Sequence, residues 1–326
     1  MHGKTQYALM AWLAIPLLAG ALMAQDGELH EEYKGIKELE IETVSGDCII
    51  EGTSGNKVVV DLKYDYGDNC FEPLVDKSGD RLRIRERFHG SWCNGHSEWT
   101  ISVPREMDID FSSASGELTL SNCEGRFTME SASGGIEVSN CAGDFEIDNA
   151  SGRIRISDSE GEFEVDNASG RIILAEISGR IELDNASGNV DMKRVKGRFS
   201  VDNASGDIEA NGIEIEDRSE FDTASGDIEI TLAATPKHDM ELETASGDVV
   251  LNYGGNPMVG QFEFTARRGR GRIDAPYKFE VEEEFVRGHS RWDDDVVYER
   301  KSFTREQETP MIIMGTASGR VELRLE

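Results

Sequence analysis

Hydrophobic and polar residues alternate in short stretches that are separated by glycine. After Gly152 come the apolar residues Ile154 and Ile156, and nine residues later Gly161 begins the same pattern again. An alternation with a period of two, bounded by turns that contain glycine, is typical of a β-strand with one buried face. The pattern therefore predicts two short strands in every 18 residues.

These strands belong to a long internal repeat. The tripeptide Ala-Ser-Gly places its glycine at positions 116, 134, 152, 170, 188 and 206, and it continues with slightly longer spacings at Gly226 and Gly247. Two strands per repeat, stacked in register, predict an all-β fold: a two-sided parallel β-solenoid, or single-stranded β-helix, with about 18 residues per coil. A hexapeptide helix would need an aliphatic residue every six positions, and calcium-binding nonapeptide repeats would need Gly-Gly-x-Gly-x-Asp; the chain has neither pattern.

The repeat and its irregular flanks divide the chain into four parts: a signal peptide over 1–24, an N-terminal cap with the first strands over 25–105, the regular solenoid over 106–253, and a C-terminal excursion with a final coil over 254–326. The signal peptide is indicated by Lys4 and the apolar run that follows it to Ala24. No later stretch is apolar for long enough to span a bilayer. We therefore expect an exported protein, periplasmic, at the cell surface or secreted, with no transmembrane span in the mature chain.

The strand phase is open between residues 58 and 103. The alternating stretches Val58-Val60-Leu62 and Leu82-Ile84 fit either two coils or a single hairpin. Both alternatives satisfy the alternation of apolar and polar residues, so the pattern does not choose between them.

The chain is strongly acidic, with 34 Lys and Arg against 64 Asp and Glu and a formal net charge of −30. Such a field repels nucleic acid and anionic lipid, so nucleic acid is not an expected partner. Part of this charge falls in one outward-facing series, here called the acidic column: Glu130, Asp148, Asp166, Asp184, Asp202, Asp222 and Glu243. A second outward series lies beside it: Glu146, Glu164, Glu182, Glu220 and Glu241.

Two interpretations of the acidic column remain open. Coils about 4.8 Å apart would make adjacent carboxylates repel each other by about 0.9 kcal/mol even in bulk water. The column is either a solvated face that blocks aggregation, or a wall that gathers Ca²⁺ or a cationic partner. In the second case the candidate ligands of a weakly bound Ca²⁺ are Asp148, Asp166, Asp184 and Asp202. No other cofactor is expected.

A column of asparagines is predicted at the Ala-Ser-Gly turn, formed by Asn149, Asn167, Asn185 and Asn203. It is either a polar ladder that binds a glycan or a structural feature. The structural interpretation is favoured by the preference of asparagine for tight turns and by the ability of stacked amides to bond along a column.

The five cysteines fit an oxidising compartment. Cys70 and Cys93 lie in the N-terminal excursions, and Cys123 and Cys141 are 18 residues apart, so we predict the disulfides Cys70–Cys93 and Cys123–Cys141. Cys48 aligns with an inward position and is expected to be a free buried thiol.

One group of residues resembles a zinc site. His89, Cys93 and His96, together with Cys70, have metal-binding residue types at short spacing. In an oxidising compartment a disulfide between the two cysteines is the favoured interpretation.

The heptapeptide Ala150-Ser151-Gly152-Arg153-Ile154-Arg155-Ile156 resembles the repeat of the bacterial "putative adhesin" family, a family of secreted β-strand-repeat proteins built on a domain of unknown function. The segments Val103-Pro104, Ile109-Asp110-Phe111 and Ala114-Ser115-Gly116 are similar to the start of that family's repeat region. The resemblance runs roughly from Leu39 to Leu323. It implies the repeat fold and carries over no catalytic residue.

Two classes of function follow from these observations. The first is a non-enzymatic envelope or surface protein, an adhesin-like scaffold that binds an envelope component, a glycan or a protein. The alternative is a β-solenoid carbohydrate-active enzyme with a cleft built from the terminal excursions, where Trp292-Asp293-Asp294-Asp295 supplies carboxylates. The first is favoured because the sequence has no Gly-x-Ser-x-Gly elbow, no P-loop and no His-Glu-x-x-His.

Overall fold

The protein is a two-sided parallel β-solenoid, as the repeat predicts. A computed structural model describes residues 27–67, 70–90, 93–289 and 295–326. The predicted signal peptide, residues 1–24, lies outside these residues. The described part of the chain contains no helix that is long and apolar enough to cross a bilayer.

Two sheets face each other across one continuous apolar core. In spatial order the first sheet consists of β1 (Gly27–Lys34), β4 (Lys57–Tyr64), β7 (Ser97–Pro104), β3 (Asp47–Thr53), β9 (Leu118–Ser121), β11 (Ile136–Ser139), β13 (Ile154–Ser157), β15 (Ile172–Ala175), β17 (Val190–Lys193), β19 (Ile208–Ile215), β21 (Ile228–Leu232), β23 (Val249–Asn252), β29 (Gly319–Arg324) and β25 (Gly271–Asp274).

The second sheet has the same organisation. In spatial order it consists of β5 (Phe71–Ser78), β6 (Arg81–Phe88), β2 (Glu38–Thr43), β8 (Asp108–Ser113), β10 (Glu124–Ser131), β12 (Ala142–Asn149), β14 (Glu160–Asn167), β16 (Ser178–Asn185), β18 (Lys196–Asn203), β20 (Ser219–Thr223), β22 (Met240–Thr244), β28 (Met311–Thr316), β24 (Gly260–Arg267), β27 (Asp295–Arg305) and β26 (Val281–His289). The end of β19 also pairs with β18, so this strand contributes to both sheets.

Neighbouring coils pair in parallel and in register, so equivalent residues stack. Phe145 lies between Phe127 and Phe163 in the second sheet, and the rings of Phe145 and Phe163 stack with their centroids 4.6 Å apart. Each inward side chain therefore buries itself mainly against its own equivalents in the adjacent coils. This is why a single coil is not an independent unit and the repeat is long.

The second glycine of each repeat is required by the close approach of successive coils. Gly161, at the start of β14, has φ +143°, and a Cβ atom built on it would lie 1.8 Å from the carbonyl oxygen of Gly143. No side chain fits at that distance, and L-residues rarely adopt that φ value. The glycine column therefore fixes the stacking distance at this corner of the coil.

Chain order and spatial order differ at both ends of the solenoid. The first coil, β2 with β3, lies between the coil formed by β6 and β7 and the coil formed by β8 and β9. The last coil, β28 with β29, lies between β22–β23 and β24–β25. Both terminal coils of the sequence are thus internal layers of the stack.

Antiparallel strands close the two ends. At the N-terminal end β4 pairs antiparallel with β1 and β7, whereas β6 pairs in parallel with β2 in the other sheet. The hairpin interpretation of Val58-Val60-Leu62 with Leu82-Ile84 is therefore wrong, because the two stretches lie in different sheets. At the C-terminal end β27 pairs with β24 and β26 and covers the edge of the second sheet.

Candidate functional site: a groove along the Ala-Ser-Gly turns

Each strand of the regular second sheet ends in the same three-residue pattern. At the end of β12, Asp148 is exposed, Asn149 is 4% exposed, and Ala150, the residue after the strand, is exposed again. The buried member of each triplet is Asn, Ser or Thr, and these stack as the polar column: Thr43, Ser113, Ser131, Asn149, Asn167, Asn185, Asn203, Thr223, Thr244 and Thr316. Because its neighbours in sequence point outward on both sides, the polar column lies at the bottom of a channel.

This channel is a continuous groove of about 1450 Å³. Ten consecutive strand ends line it, from Glu42–Val44 to Gly315–Ala317, which at about 4.8 Å per coil corresponds to a length of about 43 Å. The acidic column forms one flank and the alanines of the Ala-Ser-Gly turns form the other. Glu86 lies at the N-terminal end of the groove, and Arg287 and Tyr298 lie at the C-terminal end.

The polar column carries a ladder of amide hydrogen bonds. Asn167 donates to Asn185 across 3.0 Å, and Asn185 donates to Asn203 across 3.1 Å, in each case from Nδ2 to Oδ1. This is the bonding that the structural interpretation of the asparagines predicts. The ladder is incomplete, because Asn167 Oδ1 and Ser131 Oγ have no hydrogen-bond partner among the described residues.

The acidic column carries charge that the protein does not neutralise. None of its seven carboxylates forms an ion pair within the described residues. Other surfaces are compensated: on the first sheet Arg171 pairs with Asp191, and Arg320 Nη2 lies 3.1 Å from Asp248 Oδ2. In the second outward series Glu182 pairs with Arg180. The carboxylates of the acidic column therefore lack the arginine partners that Asp191, Asp248 and Glu182 have elsewhere on the surface.

Partial burial, and after it repulsion from neighbouring carboxylates, raises the pKa of three members of this column. Burial, followed by the charges of Asp202 and Glu243, raises the pKa of Asp222 to about 6. The pKa of Asp166 is raised by burial and then by Asp148 and Asp184. That of Asp202 is raised by burial and by Asp184. Each carboxylate is thus held ionised near neutral pH at an energetic cost to the fold.

Acidic residues on the other side of the same turn have a structural role. The carboxylate of Asp207 accepts the backbone N–H of Asp227 at 3.0 Å, and Asp227 accepts that of Asp248 at 2.7 Å. Asp248 in turn accepts the N–H of Arg320 at 2.8 Å. These contacts bind one coil to the next, and they account for acidic residues directly after the Ala-Ser-Gly glycine.

The candidate Ca²⁺ ligands Asp148, Asp166, Asp184 and Asp202 stack directly on one another through β12, β14, β16 and β18. In the part of the chain that the structure describes, no group of three or more His, Cys, Asp or Glu side chains converges on a point that could hold a metal ion. Weak attraction of Ca²⁺ along the column stays a prediction.

The structure joins Cys70 and Cys93 in a disulfide with a Cα–Cα distance of 5.6 Å. The second predicted disulfide, Cys123–Cys141, is not formed in the structure. Cys123 and Cys141 are separate buried thiols, and Cys141 donates to the carbonyl of Ser139. Equivalent side chains of stacked coils point in the same direction about 4.8 Å apart, which exceeds the Cβ–Cβ range of about 3.5–4.5 Å in a disulfide. Cys48 is a free buried thiol, as expected.

The zinc-like residues do not come together. His89 Nε2 lies 3.0 Å from Glu72 Oε2, and His96 Nε2 lies 3.4 Å from Asp47 Oδ2, so each histidine has a different carboxylate partner. The disulfide occupies both cysteines of the motif. Residues 292–294, which belong to the segment predicted to supply carboxylates to an enzymatic cleft, lie outside the described residues.

The groove itself was missed by sequence reasoning. The alternation rule identifies Asp148 and its equivalents as outward, but the sequence pattern assigns Asn149 to the turn, whereas the structure places it at the end of β12, where it continues the inward alternation of Phe145 and Ile147. The available signal was the invariant alanine of this chain's Ala-Ser-Gly turns, since a methyl group beside each polar residue leaves space that a larger side chain would fill.

Comparison with known proteins places the chain among repeat proteins. The model of the family described as Toastrack DUF4097 matches residues 68–271. No curated protein matches the chain. A solved structure described as a "putative adhesin" from Parabacteroides distasonis ATCC 8503 is 10% identical, with 92% of this chain and 97% of that chain covered and a TM-score of 0.41. A "putative cell adhesion protein" from Clostridium sporogenes ATCC 15579 is also 10% identical, with 93% and 100% covered and a TM-score of 0.23. TM-scores this low support no inference about function.

Proposed function

The chain belongs to the Toastrack DUF4097 family, and from that premise we propose that it is a non-enzymatic, adhesin-like binding scaffold of the cell envelope or surface whose ligand lies along the groove. The observation that carries the proposal is the continuity of the groove over ten strand ends, seven of which present an acidic residue, a buried Asn, Ser or Thr, and an alanine. A site of this shape suits an elongated ligand that makes the same contact repeatedly.

Repetition also favours binding over catalysis. A catalytic site brings unlike groups, such as a nucleophile, a base and an oxyanion donor, to one point. The groove instead presents one carboxylate, one buried amide or hydroxyl and one methyl group in most coils. Many weak and equivalent contacts along a rigid stack give affinity through their number, which is the logic of a scaffold.

Export is supported by two features. The sequence over residues 1–24 has the pattern of a secretory signal peptide. Cys70 and Cys93 form a disulfide, a bond that persists in oxidising compartments. The net charge of −30 over the full sequence favours solubility and disfavours anionic polymers as ligands.

The test fills the groove without disturbing the core. Ala168 and Ala186 are exposed and line the groove in adjacent coils, so Ala168→Trp with Ala186→Trp places two indoles in it. Ser157→Trp with Ala175→Trp is the matched control, because these residues lie in adjacent coils of the first sheet outside the groove. The purified proteins are applied to glycan and peptide arrays, beside a screen for polysaccharide hydrolysis.

We expect the wild type and the control pair to bind the same array members and the groove-filled pair to lose them. Binding that is unchanged in the groove-filled protein, or no binding by the wild type, contradicts the proposal. Hydrolysis of a polysaccharide by both variant pairs would support the carbohydrate-active enzyme instead.

A further inference from the structure

Three observations on the groove indicate the chemistry of its ligand. The first is the uncompensated charge of the acidic column. Seven carboxylates in successive coils lack an ion pair among the described residues, while Arg171, Arg180 and Arg320 on neighbouring surfaces pair with carboxylates outside the groove. A ligand that carries positive charge along its length would neutralise the column and relieve the repulsion between carboxylates in adjacent coils.

The second observation is that the chain places a guanidinium group of its own in the groove. Arg287, from β26 of the C-terminal cap, lines the last part of the groove together with Tyr298 of β27. Its charge opposes the rise in the pKa of Glu241, so it acts on this end of the acidic surface. The cap therefore places one cationic side chain beside the C-terminal end of the acidic surface.

The third observation is the pair of unsatisfied polar atoms at the bottom of the groove. Ser131 is 6% exposed and Asn167 is 4% exposed, and neither Ser131 Oγ nor Asn167 Oδ1 has a hydrogen-bond partner among the described residues. An amide oxygen only accepts hydrogen bonds, so Asn167 Oδ1 requires an N–H or O–H donor. Leaving such an atom buried and unpaired costs about 1–3 kcal/mol.

We propose that the groove binds an extended polypeptide segment rich in lysine and arginine, a conclusion that rests on the proposed function of the groove. An extended chain directs alternate side chains to opposite sides, so cationic side chains face the acidic column while small apolar ones face the alanines. Its backbone N–H groups lie over the polar column and become donors to Ser131 Oγ and Asn167 Oδ1 when these buried side chains turn toward the groove. A length of about 43 Å holds about 13 residues at 3.3 Å each.

Other cationic or elongated ligands use less of the groove. A metal ion or a polyamine would neutralise the carboxylates and leave the alanine flank without a partner. A neutral glycan would leave the acidic column unpaired and partly desolvated, which is unfavourable. The polypeptide matches the acidic flank, the apolar flank and the polar bottom together.

The experiment measures fluorescence anisotropy of a labelled 12-residue peptide of alternating lysine and alanine against the mature protein. Peptides in which glutamine or glutamate replaces lysine are the ligand controls. The test variant is Asp148→Asn, Asp166→Asn, Asp184→Asn and Asp202→Asn together. The control variant is Glu146→Gln, Glu164→Gln, Glu182→Gln and Glu220→Gln, which removes the same charge from the second outward series, outside the groove.

We expect the lysine peptide alone to bind, with an affinity that falls as salt rises. The Kd should increase about tenfold or more in the acidic-column variant and about twofold in the control variant. Arg287→Ala should tighten binding, because it removes a competing cation from the groove. Equal weakening in both quadruple variants would mean attraction by net charge alone and would overturn the proposal.

Two further outcomes separate this inference from the proposed function. If the lysine peptide does not bind, but Ala168→Trp with Ala186→Trp still abolishes binding on the arrays, the groove is the site and the ligand class is wrong. If spermine at equal charge concentration displaces the lysine peptide completely at the same Kd, a polyamine is the better assignment. If groove filling changes neither assay, both proposals fail.

Discussion

The two turns of each coil, built by the same nine-residue rule, differ in what they place inside. At the Ala-Ser-Gly turn the inward residue is polar and lies between two exposed columns that leave a groove open. At the opposite turn the inward column is mainly apolar or thiol-bearing: Cys123, Cys141, Ser159, Ile177 and Val195. The residue before each adopts a left-handed conformation, as Asn140 does with φ 52° and Asp158 with φ 50°.

The difference separates two tasks. A single left-handed residue reverses the chain tightly and lets an apolar side chain close the core. The wider Ala-Ser-Gly turn closes the core with a ladder of amides instead, and it holds a row of charges that increases the energy of the fold. One turn serves stability, and the other gives up some stability to keep a groove open and charged.

The largest effect is expected when the positions of the two turns are exchanged within one molecule. Deletion of residues 153–170 removes one complete coil, so Phe145 stacks on Ile181 and every later residue keeps its sheet. Deletion of residues 153–161 removes half a coil, so every later Ala-Ser-Gly turn lies on the side where the earlier coils have the opposite turn. Phe163 must then stack on Ile136. We expect the first protein to fold, shorter by about 4.8 Å, and the second to lose most of its stability.

Parallel thermal melts and circular dichroism decide this prediction. The half-coil protein should also lose the groove as a continuous channel. A half-coil deletion as stable as the full-coil deletion would contradict the two-sided arrangement of the turns.

The next largest effect is expected from neutralising the acidic column. Replacement of Asp148, Asp166, Asp184 and Asp202 by asparagine removes repulsion between five pairs of neighbours in the column, from Glu130 to Asp222. At about 0.9 kcal/mol per pair before screening, the variant should be more stable by about 2–4 kcal/mol at low salt. Chemical denaturation in 20 mM and 500 mM NaCl measures it, and the gain should shrink at high salt.

Calcium tests the same column from the ligand side. If Ca²⁺ binds the wild type, millimolar Ca²⁺ should raise Tm more than NaCl of matched ionic strength does, and the four-asparagine variant should lose the difference. Equal Tm shifts in the two salts would mean that Ca²⁺ only screens the charges of the acidic column and does not bind it.

The buried amides of the groove should matter more than the exposed amides of the opposite turn. Asn185 donates to Asn203 and to the carbonyl of Gly188 and accepts from Asn167, so Asn185→Ala should cost about 2 kcal/mol. Asn140 is exposed and left-handed, and Asn140→Gly keeps that conformation at a cost near zero. Urea unfolding of both proteins compares them, and similar costs would count against the buried ladder.

The smallest predicted effect is a dependence on pH. The pKa of Asp222 is raised from 3.8 to about 6 in the folded protein, so the fold binds a proton more tightly than the unfolded chain does between these values. Its contribution is therefore unfavourable above pH 6 and is relieved as the pH falls toward 4. Between pH 7 and pH 5 the wild type should gain about 2–4 °C in Tm relative to Asp222→Asn. The prediction fails if the two proteins show the same pH profile.

Sequence pattern predicted the features that repeat locally. The alternation around Ile154 and Phe163 gave the strands, their facing and the two sheets, because each depends only on neighbours a few residues away. The groove depended on the turn that follows Asn149, which places a small exposed residue, Ala150, on the far side of the polar column. Whether Cys123 and Cys141 form a disulfide depends on a difference of a few tenths of an ångström between the coil spacing and the Cβ–Cβ distance that a disulfide requires. The spacing of residues in the sequence does not resolve such a difference.

The order of the terminal coils could not be read from the pattern for a different reason. Leu82 and Ile84 show the same alternation as Leu39 and Ile41, with which they pair. Any of these strands fits next to any other by pattern alone. What decides their order is the path of the connecting loops, and this has no periodic signal.

The placement of β28 and β29 between older layers of the stack has a consequence for the timing of assembly. During synthesis β24 and β25 are made before residues 311–324, yet in the finished molecule they are separated from β22 and β23 by that last coil. A nascent chain that has not yet made residues 311–324 therefore has no native parallel partner for β24 and β25 on the side that faces β22 and β23. The cap formed by β24 and β25 can reach its native position only after β28 and β29 have been synthesised and inserted beside β22 and β23.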